Sequence, residues 1–216
     1  MNLGDVIHPS DRIKGRVRAY NVTDVFGFGG PLHGPRGVIP RNQRWNPTTD
    51  WQKNDVVYEW GAIVGRCLTL GTLNYRIAGL YLEFENTASP GDPVTVPTLD
   101  RTRDIEYYNN LSGSAVRDYL RVPLTAHTFG TSDVDLFPKG NQPVFFARTQ
   151  GVEGVHGKAF ANANNSTVFG GSLVAFVDNG DPTQDLIFSS FYFEVAEQQP
   201  KLTTSQVGIE WELTLE

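Results

Sequence analysis

The chain holds one cysteine, Cys67, in 216 residues. One cysteine excludes an internal disulfide, so packing and hydrogen bonds must hold the fold. Cys67 lies in the apolar run AIVGRCLTL and reads as a small core hydrophobe rather than a reactive thiol. Long hydrophobic runs are also missing, and no stretch approaches the length of a membrane span. Met1 opens a polar segment without the apolar centre of a secretory signal. The expectation is a soluble protein made in a cytoplasm. No segment keeps helical periodicity for three turns, which removes the helical bundles.

Patterns that carry chemistry are scarce as well. Of four histidines (His8, His33, His127, His156), His8 has acidic neighbours on both sides at metal-ligand spacing, Asp5 and Asp11. It lies in a polar lead-in where no fixed geometry is expected. No Gly-x-Ser-x-Gly elbow occurs, and Ser112-Gly113-Ser114 reads as a turn. Gly27-Phe28-Gly29-Gly30 is not followed by Lys-Ser/Thr, so it is no phosphate loop. Asp133 with Asp135, and Asp178 with Asp181 and Asp185, lack the twelve-residue calcium pattern and read as turn formers. Glu83 and Glu85 share one strand face with Tyr81. Glycosidase carboxylates stand on separate elements across a cleft, so this pair reads as a solvated or interface face. Neither a cofactor nor a metal is expected, and the chain is not expected to be an enzyme.

What is plentiful is punctuation. Glycine (22) and proline (13) fit many short strands joined by turns. The clearest strand lies in Tyr75–Leu99. Leu80, Leu82 and Phe84 point one way, and Tyr81, Glu83 and Glu85 the other. Ile77 is out of register with Leu80, which predicts a bulge at Ala78-Gly79. Further strands are expected at Arg12–Val22, Val56–Leu70 (bent at Gly61 or Gly65), Val116–Leu124, Pro143–Arg148, Ser172–Val177, Leu186–Val195 and Val207–Leu215. Pro123 marks an edge or a strand end. A short helix is expected in Arg101–Leu111, with Asp100 as N-cap. About eight antiparallel strands make an all-β sandwich, jelly-roll-like, with an extended N-terminal arm or large loop.

The division expected is 1–54 for a basic strand and a Gly/Pro/Trp-rich arm, and 55–216 for the sandwich body. Charge follows it. Residues 1–53 hold eight Lys/Arg against four Asp, whereas the remainder holds ten basic and twenty acidic residues. One part of the molecule then seeks an acidic partner. In Arg12–Val22, Lys14, Arg16, Arg18 and Tyr20 share a face opposite Ile13, Val17 and Ala19. That face is either a docking surface or an edge whose charges deter pairing. Residues 24–54 carry Trp45 and Trp51 among polar residues and read as an arm ordered by packing, or as a solvent-facing flap. The interface candidates are Arg12, Lys14, Arg16, Arg18, Trp45 and Trp51. The acidic remainder disfavours nucleic acid as the partner.

LYLEFEN (Leu80–Asn86), SPGDPV (Ser89–Val94), YYNNL (Tyr107–Leu111) and RDYLRVPL (Arg117–Leu124) resemble segments of small virion proteins of tailed bacteriophages. The likeness lies within residues 80–124, about a fifth of the chain, and carries no catalytic residues. It implies a structural protein of a virion, cementing or decorating a capsid, with copies of itself and the major capsid protein as partners. Membrane is not among those partners. A tail or fibre protein, or a carbohydrate-binding sandwich used in adsorption, is the alternative. In that case Trp45, Trp51, Trp60, Tyr107 and Tyr108 would stack on sugar rings.

Overall fold

The computed structural model describes residues 13–24, 42–57, 60, 61, 63, 65, 76–85, 103–111, 117–128, 143–149, 165–176, 185–202 and 204–215. They form ten strands: β1 (Ile13–Asp24), β2 (Gln43–Pro47), β3 (Gln52–Val56), β4 (Arg76–Glu85), β5 (Arg117–Thr128), β6 (Val144–Arg148), β7 (Asn165–Phe176), β8 (Leu186–Tyr192), β9 (Gln199–Leu202) and β10 (Gln206–Leu215). A short helix, α1 (Ile105–Leu111), lies between β4 and β5.

The strands are antiparallel, and eight of them close a ring in the order β10-β6-β5-β4-β7-β8-β3-β1, with β1 returning to β10. The fold is all-β as expected, but the ring is a barrel rather than a jelly roll. Two strands turn its corners. β3 pairs with β1 through Gln52–Asn54 and with β8 through Asp55 and Val56. β5 pairs with β4 as far as Pro123 and with β6 from Leu124 onward, with an irregularity between Leu124 and Ala126. Strands that switch sheets at bends are how two packed sheets become one closed surface. Pro123 sits where its missing N–H costs no ladder bond, since no described strand pairs with that part of β5 on its other side.

Alternation places the core. Leu80, Leu82 and Phe84 of β4 meet Ile209, Trp211 and Leu213 of β10 inside the barrel, all buried. Phe191 packs edge-on to Trp211 at 5.1 Å. No helix among the described residues is long and apolar enough to cross a membrane. The bulge read from Ile77 is present: the β4–β7 register shifts between Ile77 and Gly79.

Several expectations change. β1 is no edge, because β10 pairs along one side and β2 and β3 share the other. Among the described parts of 1–54, β1 and β3 are therefore staves of the barrel and β2 pairs onto β1, so they are not an arm apart from a body. Gly208 shows how tightly β2 is joined to it: a methyl group there would stand 2.5 Å from the Trp45 ring. The strand expected to run through Val56–Leu70 stops at Val56, and Trp60, Gly61, Ile63 and Gly65 are helical. Helical geometry lets residues three apart, Trp60 and Ile63, both reach the core. The helix near residue 105 is there, capped by Asp104 (its Oδ1 accepts the Tyr107 N–H at 3.0 Å) instead of Asp100. Gln199–Leu202, which lies between two of the expected strands, is itself a strand on β7, with Pro200 exposed. Arg12, Cys67, His8, His33, His156, Asp100, Asp133, Asp135, Asp178 and Asp181 lie outside the described residues.

Candidate functional site

Two places on the outer surface concentrate charge. The first is the β1 face. Lys14, Arg16 and Arg18 alternate outward while Val17 and Ala19 are fully buried. Directly across on β10 stand Glu212, opposite Arg16, and Glu210, opposite Arg18. Arg16 donates to both oxygens of Glu212, from Nε at 2.8 Å and from a terminal nitrogen at 3.2 Å. The Arg16 side chain is 47% exposed and Glu212 only 4%, so the pair has one wet and one dry member. The Tyr20 hydroxyl donates to Glu210. On the other side Lys53 stands opposite Arg16 and is exposed.

Trp51, immediately before β3, lies under this row, with the Arg16 guanidinium 4.2 Å and the Arg18 guanidinium 5.0 Å from its ring centre. Lys14, Gly15, Arg16, Glu212 and Thr214 line a shallow open groove. The structure thus gathers Lys14, Arg16, Arg18 and Trp51, and leaves Trp45 elsewhere. Trp45 is 5% exposed, packed edge-on to Tyr20 and Phe146. Of the aromatics expected to stack on sugars, Tyr108 is fully buried as well, and guanidinium groups cover a face of Trp51.

The second place lies under α1, on the outer face of β4, β5, β7 and β8. Glu83 is fully buried, not solvated as its alternation suggests. It accepts hydrogen bonds from the hydroxyls of Tyr107 (3.0 Å), Tyr108 (2.9 Å) and Tyr192 (3.2 Å), and is ion-paired with Arg103. The Arg103 guanidinium lies 3.8 Å from the centre of the Tyr107 ring and 4.8 Å from that of Tyr192. Gly170 makes room for Tyr192, since a Cβ there would stand 2.2 Å from its ring. A second buried carboxylate, Asp185, accepts from the Tyr81 hydroxyl and from Arg121 Nε at 3.0 Å. Between them, the Ser172 hydroxyl bonds to Tyr108 and to Ser190.

Sequence reasoning missed this network. Arg103 and Asp185 come from segments with no periodic pattern, and only the cover of α1 turns the polar face of β4 into an interior. Glu83 is held by donors from α1, from β8 and from the connection before α1, an arrangement that fixes α1 to the barrel. Among the described residues no group of three or more His, Cys, Asp or Glu is placed to hold a metal ion.

The tyrosines give a pH dependence. Burial, and next the neighbouring carboxylates, push the hydroxyls of Tyr81 (beside Asp185), Tyr108 (beside Glu83) and Tyr20 (beside Glu210) well above the usual tyrosine value. Folded chains therefore keep these protons above about pH 10, where unfolded chains release them. The unfolded state then binds fewer protons, so stability is undiminished below about pH 10 and falls as pH rises past it. Denaturant melts from pH 8 to 11.5 are expected to show a loss of up to about 1.4 kcal/mol per tyrosine for each pH unit above 10. A flat profile would contradict the burial of these hydroxyls.

No protein-family model, no curated protein and no solved structure matches the chain.

Proposed function

We propose that the chain is a non-enzymatic structural protein of a bacteriophage particle, a capsid-associated cement or decoration protein that docks on neighbouring subunits. One observation carries this reading: an acidic chain of net charge −6 presents a row of cations, Lys14, Arg16 and Arg18, beside Lys53 and Trp51. Residues two apart on a strand repeat about every 7 Å, so the row is a ruler fixed by the barrel. A rigid cationic ruler matches an acidic surface with little ordering cost, and many copies make modest contacts strong. The docking element is accordingly the outer face of β1 and not a free arm. The partial likeness to virion proteins of tailed phages supports the particle, and the rigid barrel supports a structural role.

Lys14 and Lys53 make the cleanest test, because reversing Arg16 would strand the buried Glu212. The Lys14→Glu/Lys53→Glu variant is expected to bind particles lacking this protein at least about tenfold more weakly than the parent, with a smaller salt dependence. Melts of variant and parent beside the binding curves separate lost docking from lost folding. Equal binding by variant and parent would remove the β1 face from the proposal. Binding to isolated tails and not to heads would move the protein to the tail or fibre. A tryptophan fluorescence response to oligosaccharides would favour an adsorption module.

A further inference from the structure

We propose that Glu83, Tyr107, Tyr108 and Tyr192 form a guanidinium cage, that Arg103 is its resident occupant, and that the vacated cage binds a free guanidinium compound. The walls suit a planar cation and little else. All three tyrosine hydroxyls donate to Glu83, so the box turns a carboxylate and aromatic faces toward its centre. Arg103 stacks on Tyr107 at 3.8 Å and lies near Tyr192 at 4.8 Å while its terminal nitrogen pairs with Glu83. The side chains of Arg103 and Glu83 are 3% and 0% exposed, so water does not weaken the attraction.

Two features separate the occupant from the cage. The buried Arg103 Nε has no hydrogen-bond partner among the described residues, so the described walls of the box do not satisfy their resident completely. The walls also stand without it. Tyr192 and Glu83 belong to barrel strands, and α1 is held by its Asp104 cap and by Tyr108, which packs against Tyr81 at 4.8 Å and Tyr119 at 5.0 Å. Arg103 precedes α1 on the connection between β4 and β5, and is the one member that belongs to no strand or helix. The cage is thus a site for an arginine-type cation that the chain fills from its own sequence.

Chemical rescue tests it. Arg103→Ala is expected to lower the melting temperature, and N-ethylguanidinium at about ten times its Kd should restore about 3 °C or more. Ethylammonium, which cannot stack and pair at once, should restore less, and sodium chloride nothing. The double variant Glu83→Gln/Arg103→Ala should show no rescue. If Arg103→Ala does not fold alone, refolding in millimolar N-ethylguanidinium becomes the readout, with the recovered folded fraction expected to rise with ligand. Absence of rescue in both formats overturns the cage, as does equal rescue by ethylammonium or equal rescue of the double variant. Arg103 would then be a structural ion-pair partner only.

Discussion

Deleting residues 1–54 is expected to abolish cooperative folding of the remaining chain. The deletion removes β1, β2 and most of β3. β1 pairs with β10 in unbroken register from Ile13 opposite Leu215 to Val22 opposite Gln206, so its loss opens the barrel along a full seam. Val17 and Ala19 leave the core, and of β3 only Asp55 and Val56, the two residues that pair with β8, remain. Glu210 and Glu212, 2% and 3% exposed in the closed barrel, lose Tyr20 and Arg16 and come to face water. Loss of a full strand ladder together with its core residues removes more than the small net stability of a domain this size. Far-UV circular dichroism and a thermal melt of residues 55–216 check this. A cooperative transition within a few degrees of the full chain would restore the view of 1–54 as a separable arm.

Glu83→Leu is the most damaging single substitution expected. It leaves the Arg103 cation buried without its anion and removes the acceptor of three tyrosine hydroxyls. The loss expected is about 3–5 kcal/mol, a drop of about 10 °C in melting temperature. Replacing both partners, as in Glu83→Leu/Arg103→Met, should recover most of it, because the penalty lies in the unpaired charge and not in the missing bond. Melts of the two variants beside the parent decide the matter. A single variant within 1 °C of the parent would mean that water reaches the box.

The staves were legible in the sequence where one face is apolar, as in β4 and β10, because period two is a local property. The bulge at Ile77 was legible for the same reason: the register breaks within three residues. The pairing of β1 with β10 was not. Arg16 and Glu212 stand 196 residues apart, and nothing near either announces the other. The barrel was mistaken for a jelly roll because strand order is set by long connections rather than by strand composition. Glu83 looked solvated for a related reason. Alternation tells which residues share a face, and only a later segment, here α1, decides whether that face meets water.

The β1–β10 seam also imposes an order in time. Its two strands are made nearly two hundred residues apart, so on a ribosome β1 waits roughly 10–40 s for β10. Closing so long a loop slows folding, and until it happens one side of β1 is an open edge. Lys14, Arg16 and Arg18 are well suited to that interval, since charged residues on an unpaired strand discourage pairing with the wrong chain. The same row that Glu212 later engages thus protects the nascent chain from aggregation.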